Sequence, residues 1–156
     1  MAENTTVAEA PAACVWEVLA DPDTYAVWVV GAKDIRDWEG RWPEPGSRFH
    51  HSQGVGPLTL VQDYTEVLEA APERRLLLEA RMRPLAVLHI ELGLEPLGTE
   101  QTRIRMSERP VAGPLLVARS VVDLALKGRN VEGLERLKAL AEQRWRGRRS
   151  ALGSSA

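Results

Sequence analysis

Between residues 85 and 95 apolar and polar side chains alternate, with Leu88, Ile90, Leu92 and Leu94 on one face and His89, Glu91 and Gly93 on the other. Successive side chains of a strand point to opposite faces, so this run predicts a strand with one covered and one wet face. Its neighbours agree. Leu76, Leu78, Ala80 and Met82 oppose Arg75, Glu79 and Arg81, while Ile104 and Met106 oppose Arg103 and Arg105. Turn chemistry interrupts the pattern at Trp42-Pro43-Glu44-Pro45-Gly46, Gly54-Val55-Gly56-Pro57, Ala71-Pro72-Glu73, Arg83-Pro84 and Pro96-Leu97-Gly98. The breaks delimit six strands near 32–39, 47–53, 57–69, 75–82, 85–95 and 100–108, and connections this short make the sheet antiparallel. Both faces of 57–69 are mixed, which leaves the facing of Tyr64 open.

Toward the chain ends the period changes. After an extended start at Thr5 to Glu9, Pro11 opens a helix whose buried face is Cys14 with Val18 and Val15 with Leu19. Asp21-Pro22 stops it and starts a second short helix, Asp as N-cap and Pro at the first position, carrying Tyr25 and Trp28 to about Val30. The segment from Pro114 to Trp145 has no internal proline and predicts one long helix ending in Arg146-Gly147. Val117, Val121, Leu124, Val131, Leu134, Leu137, Ala141 and Trp145 recur at steps of three, four or seven and form the stripe expected on the sheet. Gly128 and Gly133 mark a bend or a close approach. The expectation is an α+β architecture: a curved antiparallel sheet of about seven strands wrapped on a long C-terminal helix, with two short helices after the first strand. Residues 1–146 form a single domain and 147–156 a flexible tail.

Composition narrows the function classes. Twenty basic and 22 acidic residues give a net charge of -2 with no block of one sign, so no broad electrostatic footprint for nucleic acid is present. The cluster Arg144, Arg146, Arg148 and Arg149 reads as a solvated helix end. A single cysteine, Cys14, excludes an internal disulfide framework, and no run of about 18 apolar residues and no leader pattern occurs, so the expectation is a cytoplasmic protein.

The order of elements resembles the helix-grip fold of the START-like and birch-allergen-like (SRPBCC) superfamily, polyketide cyclase/dehydrase-type members included. The resemblance spans about residues 5 to 143. It is carried by Ala10-Pro11-Ala12-Ala13-Cys14-Val15-Trp16 with Leu19-Ala20-Asp21-Pro22 and Trp28, by Gly46-Ser47-Arg48-Phe49, Gly56-Pro57-Leu58, Thr65-Glu66-Val67-Leu68 and Arg74-Arg75-Leu76, and by Thr102 to Glu108. The resemblance implies a cavity between the concave face and the long helix, used in relatives for lipids, sterols, polyketides or plant hormones, and in some for ring closure. Leaving about 300 Å³ dry would cost on the order of 7 kcal/mol. A ligand-sized pocket is therefore expected to hold a ligand or water, or to close.

Candidate chemistry is sparse. His50 and His51 point to opposite faces and cannot share a metal ion. With Phe49 inward, His51 and Gln53 reach the cavity, where His51 is either an ordinary hydrogen-bonded histidine or a ligand-contacting acid/base group. Glu108 follows Ile104 and Met106 inward, as a ligand contact or base, or as a cap near Ala112 and Gly113 or a partner of Arg109 or Arg119. Trp28 and Trp38 are placed near the mouth as flat contacts for a steroid-like or polyketide-like ligand, with core packing as the alternative. The rest of the predicted lining is Leu88, Ile90, Leu92, Ile104 and Met106 with Leu116 and Ser120 from the long helix. No nucleophile elbow, phosphate cradle or Cys-His signature occurs, and no cofactor or metal is implied. The leading expectation is a small apolar ligand bound without chemistry. The alternative is a cyclase or dehydratase using His51, Glu108 or Tyr64 as acid/base groups, and a protein-partner scaffold is the third.

Overall fold

The computed structural model describes residues 1–54, 60–117 and 119–155, with the side chains at 33, 53, 60, 61 and 119–122 outside that description. Chain order is β1 (Ala2–Ala8), α1 (Ala12–Leu19), a 3-10 turn (Pro22–Thr24), α2 (Tyr25–Trp28), then β2 (Ala32–Glu39), β3 (Arg48–Gly54), β4 (Leu60–Ala71), β5 (Arg75–Met82), β6 (Ala86–Pro96) and β7 (Thr102–Ala112). A second 3-10 turn (Pro114–Leu116) leads into α3 (Arg119–Gly153). Every strand pair is antiparallel, and the seven strands lie in the order β1-β7-β6-β5-β4-β3-β2. The helix-grip architecture expected from the alternation is the one observed. The Gly54-Val55-Gly56-Pro57 turn falls largely outside the described residues.

Turn and cap chemistry places the small elements as its residue types require. Asp21 accepts from the backbone N–H of Asp23 at 3.1 Å, capping the turn that Pro22 opens. At Gly113 the backbone is left-handed (φ 95°), and a Cβ there would stand 2.6 Å from the carbonyl oxygen of Leu85. Only glycine lets the chain leave β7 so close to the β5–β6 turn.

Inward and outward faces follow the sequence pattern. Leu76, Leu78, Ala80 and Met82 are buried along β5, and Thr102, Ile104, Met106, Glu108 and Pro110 along β7. On β6, Leu88, Leu92 and Leu94 are buried, but Ile90 is only half-buried because it borders a cavity. Glu91 is half-buried rather than exposed, since it accepts from Arg75 at 3.0 Å.

The long helix differs from its expected form in two ways. It passes Gly147 and ends at Gly153, so residues 147–153 are helical rather than a tail. One interior glycine costs only about 1 kcal/mol, and Arg148 ties the extension to Glu17 on α1 at 2.6 Å. The expected sheet-facing stripe also fails in its first half: Val117 is 94% exposed, Leu124 74% exposed, and Val131 lies outward too. Among the described side chains of α3 the buried positions are Leu126, Asn130, Gly133, Leu134, Leu137 and Ala141. A step of seven falls about 20° short of two turns and a step of three about 60° short of one, so a track of such steps rotates around the helix. The track begins in solvent and reaches the core only near Leu134. Val121 lies outside the described side chains.

Beyond that point α3 locks onto the rest of the molecule. Leu134, Leu137 and Ala141 join Val15, Val18, Leu19, Leu76, Leu92 and Ile104 in the main core. From β1, Thr6 donates to Glu135 at 2.8 Å, and just past it the N–H of Glu9 donates to Glu142 at 2.9 Å. Earlier on the helix, Asp123 accepts from the amino group of Met1 at 2.7 Å. Among the described residues no helix is long and apolar enough to cross a membrane.

Candidate functional site

Between the sheet and α3 the core is incomplete. A cavity opens there, bounded by Tyr25, Trp28, Val29, Val30 and Ala32 from α2 and its exit, by Phe49, His51 and Thr65 from β3 and β4, and by Leu78, Ala80, Leu88, Ile90, Met106 and Glu108 from β5 to β7. Arg129, Asn130 and Gly133 close it from α3. A Cβ at Gly133 would lie 3.2 Å from the carbonyl oxygen of Trp28, so this glycine is the close approach that brings α2 onto the helix and sets Trp28 in the wall. About 50 Å³ is open to the centre of a water-sized sphere. At about 24 cal/mol per Å³ such a void costs roughly 1.2 kcal/mol, far less than an empty ligand-sized space of about 300 Å³ would. The cavity in this form is narrow. An engineered apolar cavity of about 150 Å³ accommodates benzene, so a larger guest must widen this one.

The wall is mostly apolar, but its polar groups converge. Glu108 is 0% exposed, and its Oε1 accepts from Arg129 Nη2 at 2.6 Å while Oε2 has no protein partner. Arg129, rather than Arg109, is therefore the carboxylate's partner, because α3 crosses β7 one turn before the core begins, and the side chain of Arg119 lies outside the described residues. Asn130 Nδ2 and Trp28 Nε1 are also buried without a partner. His51 is buried, contacts Thr65 Oγ1 through Nε2 at 3.0 Å and leaves Nδ1 free. Burial pushes the imidazole below its ordinary value of 6.5; the opposing pull of Asp63 is weaker, and His50 and Arg36 add to the lowering. The phenol of Tyr25 is pushed up by burial and spends its hydroxyl on the Leu19 carbonyl at 2.9 Å.

Of the residues singled out from sequence, Trp28, His51, Leu88, Ile90, Met106 and Glu108 do line this cavity. Leu92 and Ile104 face the same way but are fully buried in the core beyond its end, packed with residues such as Leu134 and Leu137. Leu116 precedes α3, borders solvent and is not in the wall. The side chains of Gln53 and Ser120 lie outside the described residues.

Trp38 is not at the cavity. Two register shifts in β2 turn its ring into an aromatic cluster, 4.8 Å from Phe49 and 5.3 Å from Trp42 between ring centroids. Tyr25 joins that cluster, 5.1 Å from Trp42. Tyr64 is on the outer face, as the burial of Asp63, Thr65 and Val67 on the other side of β4 requires. There the guanidinium groups of Arg48 and Arg81 each sit 4.9 Å from its ring centre. It has no access to the cavity and is removed as an acid/base candidate. His50 turns outward to Glu39 at 2.7 Å.

Arg129, Asn130, Thr65 and Tyr25 are wall residues that sequence reasoning did not reach. Arg129 and Asn130 were recoverable: they precede Gly133 by one turn, and a polar pair there interrupts an otherwise apolar helix face.

Similar folds carry varied chemistry. The chain superposes on the Zhui aromatase/cyclase from Streptomyces sp. R1128 with a TM-score of 0.73 at 20% identity, covering 91% of this chain and 93% of that one. Norcoclaurine synthase from Thalictrum flavum, solved with dopamine and hydroxybenzaldehyde, gives 0.69 at 15% identity over 90% and 85%. The di-domain aromatase/cyclase StfQ of the steffimycin biosynthetic pathway gives 0.65 at 15% identity over 92% of this chain and 46% of that one. At these identities the likeness is one of fold. No curated protein matches the sequence. The fold encloses an apolar cavity suited to a small apolar ligand, and residues 1–142 match the family described as polyketide cyclase / dehydrase and lipid transport, to which this chain belongs.

Proposed function

We propose that the protein holds a small, flat, mainly apolar molecule between the sheet and α3. The observation that carries this reading is the wall itself. Trp28, Phe49, Leu78, Leu88, Ile90 and Met106 surround a space in which only a few polar atoms converge, the usual composition of a ligand site. The cavity's small free volume points to a guest of one or two rings that enters by displacing the wall. The first half of α3 is the part able to yield, because Leu124 and Val131 there are already in solvent.

Equilibrium titration with a small neutral aromatic compound, followed by tryptophan emission, tests this. Micromolar binding, about -8 kcal/mol, is expected. Trp28→Ala weakens it, whereas Arg103→Ala, on the outer face, leaves it unchanged. Filling the space with Leu88→Trp abolishes it. Equal binding by the wild type and the filled variant overturns the reading. Native mass spectrometry of freshly purified protein identifies any co-purified guest.

A second reading is acid/base catalysis in the same space. It is favoured by His51 and Glu108 lining one cavity, each with a free atom, and by the aromatase/cyclase and synthase names of proteins with this fold. A neutral imidazole would take a proton from a carbon beside a ligand carbonyl, the resulting enolate would attack a second carbonyl, and protonation of the new alkoxide would close the cycle. Deuterium exchange at the acidic carbon of a bound aromatic 1,3-diketone, followed by mass spectrometry, reads out the first step. Exchange no faster than in buffer, or as fast in His51→Phe, excludes it.

A further inference from the structure

The polar end of the cavity carries more information than its apolar wall. Among the described lining residues Arg129 is the one fixed cation, and its Nη2 is already committed to Glu108 Oε1 at 2.6 Å. The pair is formally neutral, so among the described lining residues no positive charge is left to receive an anionic guest. What remains is Glu108 Oε2, an acceptor with no protein partner on a carboxylate that is completely buried. Beside the same cavity are two buried donors without partners, Asn130 Nδ2 and Trp28 Nε1. Glu108 is opposite Ile90 across the β6–β7 pair, and Asn130 adjoins Arg129 on α3, so acceptor and donor enter from two different walls.

We propose that Glu108 and Asn130 make this site selective for uncharged aromatic guests that carry a hydroxyl to donate and an oxygen to accept, and that the site rejects carboxylates. The inference rests on the binding reading above and specifies its ligand class. A guest hydroxyl would give Oε2 a charge-assisted hydrogen bond, among the stronger polar contacts available to a buried site. A guest carboxylate would face a like charge in a poorly solvated space, with only the neutral donors of Asn130 and Trp28 to compensate. Buried acceptors built for a donor also discriminate against guests that lack one, because they are then left unpaired. Fatty acids, which an apolar cavity alone would accept, are accordingly poor guests.

The test compares three molecules of one shape, naphthalene, 2-naphthol and 2-naphthoate, by equilibrium dialysis at pH 7.5 against the wild type and Glu108→Gln. Naphthalene reports the cavity alone. For the wild type, 2-naphthol is expected to bind at least tenfold more tightly than naphthalene, and 2-naphthoate at least tenfold more weakly. Glu108→Gln releases Arg129 from its ion pair while keeping the side chain's shape, and the gap between the two is expected to close, with naphthoate gaining and naphthol losing at least tenfold relative to naphthalene. Naphthalene bound but naphthol and naphthoate indistinguishable overturns the selectivity and leaves the cavity reading standing. Failure of all three to bind overturns both. Should Glu108→Gln not fold, the wild-type order decides by itself.

Discussion

The two halves of α3 belong to one continuous helix yet do different work. From Leu134 to Ala141 every inward side chain is sealed against α1, β1 and the sheet, and the helix is part of the core. In its first half Leu124 and Val131 face solvent, and what it turns inward among the described side chains is Leu126, Arg129 and Asn130, the last two bordering the cavity. One half is a packing element and the other a wall. A wall that contributes little burial can shift to admit a guest without loosening the fold, since local opening costs least where few apolar contacts are broken.

Truncation separates the two halves most strongly. Leu137→Ala is expected to cost about 2–5 kcal/mol in urea unfolding, the range for a large-to-small change in a sealed core. Leu124→Ala, the same substitution three and a half turns earlier, is expected to fall within about 0.5 kcal/mol of the wild type. Similar losses at both positions would mean that the first half is packed after all.

The next effect lies in the wall's ion pair. Arg129→Met removes the partner of the Glu108 carboxylate among the described residues and is expected to cost on the order of 2 kcal/mol, less than the 3–5 typical of a fully enclosed pair because Arg129 reaches solvent. The double variant Glu108→Leu with Arg129→Met should recover most of that loss, since replacing both charges with apolar groups removes the unpaired one. A double variant as unstable as the single one would show that the pair does more than neutralise itself.

The smallest expected effect is pH-dependent and tests the sheet side of the cavity. Burial holds the folded pKa of His51 below the unfolded value, so between those two values the unfolded chain binds a proton that the folded one does not. Its contribution is therefore retained above pH 6.5 and lost as the pH falls through the lower folded value. Thermal melts between pH 7.5 and 5.5 should show a decline that His51→Gln makes shallower. Asp63, opposite His51 on β4, acts at lower pH: burial raises its pKa, but Arg83 and two backbone N–H groups outweigh that and hold it below 3.8. An imidazole that charges at its ordinary value by NMR titration would remove His51 from the buried polar set.

The sequence by itself determined the element order, the strand limits to within a few residues and the facing of β5, β6 and β7. These depend on local chemistry: proline and glycine at the turns, Asp21-Pro22 at a helix start, and the two-residue period that carries Leu88 and Met106 inward together. It also put His51 and Glu108 on the cavity side, by counting alternate positions from Phe49 and Ile104. Only the tertiary structure decided the rest. The rotation of α3 depends on where the helix meets the sheet, which steps of three and seven leave open, so Leu124 and Val131 reach solvent. Trp28 and Trp38 look alike in sequence, but bulges in β2 send one ring into the aromatic cluster while the close approach at Gly133 puts the other in the cavity wall. Arg129 is 21 residues from Glu108 along the chain, and no periodicity links a strand residue to its partner on a crossing helix. Local pattern fixes which way a side chain points; what it meets there depends on how the elements pack.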